Sequence, residues 1–492
     1  MKTYISTLIA LLVSIMGSAQ TMNINMGNVT YAIPASQAGE MIFSDATSLT
    51  IGQKTYRLAD ITNITTDGST VTDNAVDVTY NGNTAKVRIA GNIAPHITAT
   101  VNGAHVTVIA NEALANEVTY TLSGSSSNGS FYMDGSYKMT LKLNGLTLVN
   151  PDSAAVNIQN GKLISVVLVN GTTNSLTDGL TSVADDDSDG HKAALYFDGH
   201  SEWSGSGSLT LTGKVKHAYS SDEYTLFGSG LGNVTVNSAV SDGLHINQYF
   251  QMLGGNVNIT STGDGIDVGA KKTEKELNGQ LIISGGTLKI NTSGLATKGL
   301  KCDNNMTING GAITVTTTGS AYYDATEVDI SSSAGAKCDG TFTMSGGTLS
   351  LISTGAGGKG VNATGAVTFS GGTTTIVTTG AVYTYGADDT KPQGVKSDTN
   401  ITLSGGTILV CASSDSGTAF KTDYSVLTNG ATVMGVGGKA TTPGAASTCN
   451  YKKYTGVKVT GGSTLSYNGV SFTIPAIYSN SSAKVLVSSA SM

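Results

Sequence analysis

One tetrad recurs between Met252 and Leu465: a small polar or apolar residue, two glycines and a strand-forming or small residue. It reads Leu253-Gly254-Gly255-Asn256, Ser284-Gly285-Gly286-Thr287, Asn309-Gly310-Gly311-Ala312, Ser345-Gly346-Gly347-Thr348, Ser370-Gly371-Gly372-Thr373, Ser404-Gly405-Gly406-Thr407 and Thr460-Gly461-Gly462-Ser463. The closest copies lie 25 residues apart and the wider gaps of 31, 34 and 36 accommodate insertions. Fixed-period self-similarity of this kind is the mark of a repeat whose units bury a common core by stacking, with insertions emerging as loops on one side.

A second column runs through the same units: Leu244-His245-Ile246-Asn247, Ile266-Asp267-Val268-Gly269, Leu300-Lys301-Cys302-Asp303, Ala336-Lys337-Cys338-Asp339, Val361-Asn362-Ala363-Thr364, Val395-Lys396-Ser397-Asp398 and Phe420-Lys421-Thr422-Asp423. First and third places are apolar or small, second and fourth mostly polar. That is the period-2 alternation of a strand with one face buried. Phe131-Tyr132-Met133-Asp134, Val156-Asn157-Ile158-Gln159 and Leu195-Tyr196-Phe197-Asp198 join the register, giving about eleven coils. With 63 glycines, few prolines and no long stretch of helical periodicity, the expected class is all-β, a parallel β-helix of short strands and tight turns. A propeller fits less well, because each blade needs roughly 40–50 residues.

The expected organisation is a leader at 1–19, an N-terminal β module or cap at 20–120, the repeat domain at 121–465 and a C-terminal β cap at 466–492. Lys2, the apolar run Leu8 to Met16 and the small residues Gly17, Ser18 and Ala19 form the pattern of a secretory signal cleaved after Ala19, hence a secreted, periplasmic or surface address. Residues 20–120 lack the tetrad and instead show hairpin signals at Asn81-Gly82 and Asn102-Gly103. No later segment is apolar enough to suggest a membrane span. A net charge of −7 without basic clusters argues against nucleic acid. Cys302 and Cys338 occupy the same place in adjacent units, about 4.8 Å apart by ladder spacing, which suits either a disulfide or two inward-facing thiols.

The stretches Gly171-Thr172-Thr173-Asn174-Ser175-Leu176-Thr177-Asp178-Gly179, Ala194-Leu195-Tyr196-Phe197-Asp198-Gly199-His200, Lys216-His217-Ala218, Val240-Ser241-Asp242-Gly243-Leu244-His245 and Gly263-Asp264-Gly265-Ile266-Asp267 resemble a bacterial secreted family of carbohydrate-binding β-helix proteins. The resemblance covers about residues 121–465. It implies a right-handed, pectate-lyase-like parallel β-helix that binds plant-type polysaccharides, cellulose-like or acidic pectic, without catalysis and with calcium.

Three groups of residues are candidates for chemistry. Asp185, Asp187 and Asp189 lie on one tight acidic turn where a hard cation can collect oxygens, although the string equally fits a solvated loop. Asp242, Asp264 and Asp267 are set to stack at one corner, where like charges call for a bridging cation such as calcium; alternatively Asp242 and Asp264 make Asx-turns before their glycines. The ladder residues Lys301, Asp303, Lys337, Asp339, Lys396 and Asp398 either form a solubilising stripe of cross-strand pairs or meet the hydroxyls and carboxylates of an extended sugar chain. Tyr322 and Tyr323 in one insertion and Tyr383 and Tyr385 in another fall two coils apart, about 9.6 Å by ladder spacing, and offer sugar-stacking platforms.

The sequence thus points to an exported, monomeric, non-catalytic polysaccharide-binding protein with calcium at acidic turns. The runner-up is a calcium-dependent lyase or hydrolase, since Asp264-Gly265-Ile266-Asp267 is similar to part of the polygalacturonase motif. The rest of that motif is missing, and the only arginines, Arg57 and Arg88, lie outside the repeats. A third possibility is an adhesin or structural solenoid.

Overall fold

A computed structural model describes residues 20–44, 47–111, 114, 116–179 and 193–492. The expected leader at 1–19 and the turn carrying Asp185, Asp187 and Asp189 lie outside the described residues. The architecture is all-β; among the described residues the helical structure is one 3-10 turn at Ala35–Gln37, and no helix is long and apolar enough to cross a membrane. The chain divides into two compact units, residues 1–190 with 195–208, and 191–194 with 209–492.

In the first unit the chain opens as antiparallel hairpins and then turns parallel. Ala75–Asn81 pairs with Thr84–Ala90 and Ile97–Asn102 with Ala104–Ala110 through the two expected turns, where Gly82 and Gly103 take φ of 61° and 59°. Beyond them the ladders are parallel and in register. Ala75–Asn81, Val118–Ser126, Met139–Val149, Ile164–Leu168 and Ser201–Ser204 stack in one sheet. Ala104–Ala110, Gly129–Asp134 and Val156–Gln159 stack in the other, where Phe131 sits opposite Val156 and Val156 opposite Leu195.

In the second unit most repeats contribute three strands, the second and third running on as one in Val367–Thr378 and Ile401–Cys411. The face that matters below stacks Leu244–Asn247, Ile266–Gly269, Lys298–Cys302, Ala334–Cys338, Lys359–Ala363, Gln393–Ser397 and Thr418–Lys421 in parallel, and the column Leu244, Ile266, Leu300, Ala336, Val361, Val395 and Phe420 is in register as the alternation predicts. His217–Ser221 precedes them, with Tyr219 opposite Leu244. Every member of that apolar column is buried at 2% exposure or less. A row of hydrophobic side chains burying against apolar neighbours of the adjacent repeats, at about 25 cal/mol per Å², is what drives the stacking.

The glycine tetrads owe their two residues to different constraints. In Ser370-Gly371-Gly372-Thr373, the second glycine has φ of 77°, a left-handed turn that costs an L side chain strain. At the first, an added Cβ would meet the Ser345 carbonyl oxygen of the preceding repeat at 2.2 Å. Successive turns therefore stack backbone on backbone. The seventh tetrad is a correction: Thr460-Gly461-Gly462-Ser463 follows Tyr451–Val459, which runs antiparallel to Asn480–Ser488, so it marks a turn outside the parallel stack. Asn480–Ser488, from the segment expected as a C-terminal cap, also pairs antiparallel with Thr432–Gly437 and so occupies the edge of the last parallel repeat.

Cys302 and Cys338 are register partners and both are buried free thiols. Burial pushes the Cys338 thiol up to about 12.

Candidate functional site

The parallel register converts short sequence spacings into columns. On the face just described, the residue two before each column position gives His217, Asp242, Asp264, Lys298, Ala334, Lys359, Gln393 and Thr418, and the residue one after gives Ser220, His245, Asp267, Lys301, Lys337, Asn362, Lys396 and Lys421. The face therefore starts with imidazoles and carboxylates and passes into lysines.

At the first end, Asp242 is the hub. Its Oδ2 lies 3.2 Å from His217 Nδ1 and 3.2 Å from His245 Nδ1, while its Oδ1 accepts the Asp264 backbone N–H at 2.8 Å. The two imidazole rings stack at 4.4 Å between centroids and 15° between planes. His245 Nδ1 also lies 3.5 Å from Asp267 Oδ2. Lys301 Nζ completes the network, 3.1 Å from Asp267 Oδ1 and 3.7 Å from Asp264 Oδ2, and Asp264 Oδ1 accepts the Lys298 backbone N–H at 2.7 Å.

The electrostatics follow from burial set against these contacts. Desolvation alone would raise Asp242, but hydrogen bonds from His217 and His245 outweigh it and hold the carboxyl well below the usual range. Burial opposes the charge on His245 as well, yet its bonds to Asp242 and Asp267 carry it up to about 9. Burial wins at His217, which is lowered, and at Asp264, which rises to about 6. Burial also works against the charge on Lys301, but Asp267 and Asp264 overcome it and the ammonium is raised.

At the other end, two antiparallel hairpins flank the lysines: Tyr322–Asp324 with Asp329–Ser331, and Tyr383–Tyr385 with Asp388–Thr390. A groove of about 430 Å³ lies there, lined by residues that include Lys298, Lys337, Lys359, Asn362, Lys396 and Asp398, together with the acidic hairpin residues Asp324, Glu327 and Asp329. Lys337 pairs with Asp339, and Lys396 Nζ is 2.6 Å from Asp398 Oδ1. Lys359 is the exception, only 4% exposed, with Nζ donating to Gly357 O at 2.7 Å, Thr390 Oγ1 at 2.8 Å and Lys391 O at 2.8 Å. Burial, reinforced by the Lys396 and Lys391 ammonium groups, pushes it down to about 7.

Several sequence expectations change in detail. Lys337 and Lys396 pair within their own strand ends, as a solubilising stripe would, but Lys301 turns to Asp267 and Asp264, and Asp303 instead accepts the Ala270 backbone N–H at 2.9 Å. The tyrosines are not spaced as separate platforms. Tyr323 and Tyr385 stack on each other at 4.0 Å and 8°, because the two hairpins lean together, and Tyr322 donates to Asp324 Oδ2 at 2.8 Å. The stacking of Asp242, Asp264 and Asp267 at one corner is seen, with His245 and Lys301 as the cations beside them. The alternation reading passed over His217, Lys298 and Lys359. The signal that finds Lys298 and Lys359 is the Asp-Gly or Lys-Gly pair before the column residue, as in Asp242-Gly243, Asp264-Gly265, Lys298-Gly299 and Lys359-Gly360; His217, followed by Ala218, lacks it.

Residues 102–380 match the model of a family described as carbohydrate-binding domain-containing protein, and the chain belongs to that family. The match spans the His/Asp cluster and the first hairpin. A comparison with curated proteins finds no match. Among solved structures, a polysaccharide lyase-like protein from C. thermocellum, determined as a gadolinium derivative, is similar at 21% identity over 55% of this chain and 96% of that one, with a TM-score of 0.44.

Proposed function

We propose that this is an exported, monomeric protein that binds an extended polysaccharide without cleaving it, on a right-handed parallel β-helix of about eleven coils. The observation that carries the reading is the groove beside the Lys359 strand, where Lys298, Lys337 and Lys396 alternate with Asn362 and Asp398. Donors and acceptors repeat there at the inter-strand spacing of about 4.8 Å, so a sugar chain laid across the strands meets one set per repeat. Lysine ammonium groups give charge-assisted hydrogen bonds to carboxylates and the aspartates accept from hydroxyls, which suits an acidic pectic chain, with a cellulose-like glucan second.

Calcium, implied by the family resemblance, belongs in this reading at the acidic run Asp185, Asp187 and Asp189. The set at Asp242, Asp264 and Asp267 suits it poorly. Calcium takes six to eight oxygens, whereas here two imidazoles and a lysine already engage the carboxylates.

One observation favours the enzyme instead. Lys359, lowered to about 7 and lining the groove, has the acidity of a base able to remove a proton next to a uronate carboxylate. Against it, carbonyl and hydroxyl acceptors at 2.7–2.8 Å already take up its three N–H directions.

The test is to incubate the purified protein with polygalacturonate and with cellulose, in calcium or in chelator, and to read both retention and new chain ends. Retention without new ends is expected, with polygalacturonate held more tightly. Accumulating unsaturated ends, lost in Lys359→Met, would install the lyase reading. Silence on both glycans from a folded protein would favour a structural or adhesive solenoid.

A further inference from the structure

We propose that His217 Nδ1, His245 Nδ1 and Asp242 Oδ2 form a three-ligand site for a first-row divalent cation of the zinc class. The site is separate from the glycan groove and does not rest on its assignment.

The geometry is the first support. Zinc bonds of about 2.0–2.2 Å at tetrahedral angles place neighbouring ligand atoms roughly 3.4 Å apart. Both Nδ1 to Oδ2 separations here are 3.2 Å, and all three ligand atoms lie within 4.8 Å of one another. Both histidine-to-carboxylate spacings are therefore within a few tenths of an ångström of what an ion needs, and the two Nδ1 atoms close from a separation of at most 4.8 Å. The bonds given up are the Asp242 N–H···Nδ1 contact to His217, long at 3.3 Å, and those of His245 Nδ1 to Asp242 at 3.2 Å and Asp267 at 3.5 Å.

Donor chemistry is the second. Two imidazoles, His245 releasing its proton as the ion binds, and one carboxylate make a borderline-soft set that favours zinc, cobalt or nickel over calcium or magnesium. Three protein ligands also leave a fourth position for water or an external oxygen, the composition of open rather than closed zinc sites.

Preorganisation is the third. His217 and Asp242 share one column on adjacent strands, and His245 stands three residues after Asp242 in the same strand region, so the ladder itself sets the spacing. The second carboxylate oxygen of Asp242 is pinned by the Asp264 N–H at 2.8 Å, and Lys301 holds Asp267 and Asp264 alongside. Outer contacts of this kind orient ligands and commonly change metal affinity 10–100-fold when removed. Access is from the His245 side, whose side chain is 30% exposed against 4% for His217.

The experiment uses the full chain after metal stripping. Cobalt(II) is titrated while visible absorption and bound metal are followed. One equivalent is expected, with the strong d–d bands of four-coordinate cobalt bearing nitrogen ligands; zinc should bleach them and a hundredfold excess of calcium should not. Asp242→Asn and His245→Gln should each weaken uptake at least tenfold, while Lys396→Ala leaves it unchanged. Circular dichroism accompanies each variant, and His245→Gln, at the most exposed of the three positions, keeps the test valid if Asp242→Asn prevents folding. Absence of the bands, uptake unaltered in both variants, or displacement by equimolar calcium would overturn the site.

Discussion

Two stretches of one face, the strands from His217 to Lys301 and those from Lys337 to Asp423, share a backbone register and handle charge in opposite ways. In the first, ionic contacts cross between strands and the acids are withdrawn: Asp242 is 12% exposed, Asp264 and Asp267 13% each, and Asp242 alone contacts two rings. In the second, Lys337, Lys396 and Lys421 each pair with the aspartate two residues on in their own strand ends, and the acids stand in water, with Asp339 at 53%, Asp398 at 51% and Asp423 at 86% exposure. The same fold thus makes a low-dielectric network at one end and a solvated stripe at the other. A given charge should matter several times more in the first than in the second, because Coulomb energy scales inversely with effective dielectric constant and exposed pairs are screened.

The largest effect is expected at Asp242. Replacing it by alanine removes the shared partner of two imidazoles and should cost about 3 kcal/mol, read as a lowered urea midpoint. A loss below about 1 kcal/mol would erase the contrast between the two ends. The acid dependence follows from the same contacts. Asp242 is depressed in the folded protein, so its stabilisation is fully present above the unfolded carboxylate value near 4 and disappears as pH falls toward the lower folded value.

Lys359 sharpens the comparison from inside the solvated end, being a buried cation whose acceptors there are all uncharged. Its folded value, about 7, lies below the ordinary lysine value. Between the two, the unfolded chain holds the extra proton, so stability should rise with pH above 7, by at most about 1.4 kcal/mol per pH unit. Melting temperatures measured from pH 6 to 9 should show that rise in the wild-type protein and a flatter profile in Lys359→Met; parallel profiles would remove Lys359 as its source.

How much of this could be read in the sequence depends on which physical rule set each feature. The column Leu244, Ile266, Leu300, Ala336, Val361, Val395 and Phe420 was legible because a half-buried strand has an obligatory period of two. His217 was not, since the segment beside it, Tyr219-Ser220-Ser221, lacks that alternation and gives no register to align. Nor was the partner of Lys301, because Asp303 is nearer in sequence, while stacking places Asp267 directly opposite Lys301. The tyrosine spacing was missed for a related reason: ladder spacing measures the stacked strands, whereas Tyr323 and Tyr385 sit on hairpins whose rings stack on each other.

The groove prediction asks whether the exposed lysines serve a ligand better than they serve the fold. Replacing both Lys337 and Lys396 by alanine should lower affinity for polygalacturonate about tenfold, equivalent to about 1.4 kcal/mol, while moving the urea midpoint by less than about 1 kcal/mol. An equal loss for neutral cellulose would show that the lysines act by shape and hydroxyl contacts and not by meeting carboxylates.

The smallest effect is expected at the far end of the stripe. Lys421 and Asp423 pair with side-chain exposures of 40% and 86%, so the aspartate stands almost wholly in solvent. Each side chain gives up rotamer freedom to hold the contact in water, which offsets most of the Coulomb gain. Asp423→Asn should therefore leave the urea midpoint within measurement error of the wild type, and any shift should vanish in about 1 M salt, where the screening length is about 3 Å. Asp242→Ala should keep most of its cost in the same salt, because Asp242 and His217 are buried and a buried pair is screened far less than an exposed one. A salt-insensitive loss at Asp423 would mean that the stripe is packed at that end, and that the division between a buried network and a solvated row falls elsewhere on this face.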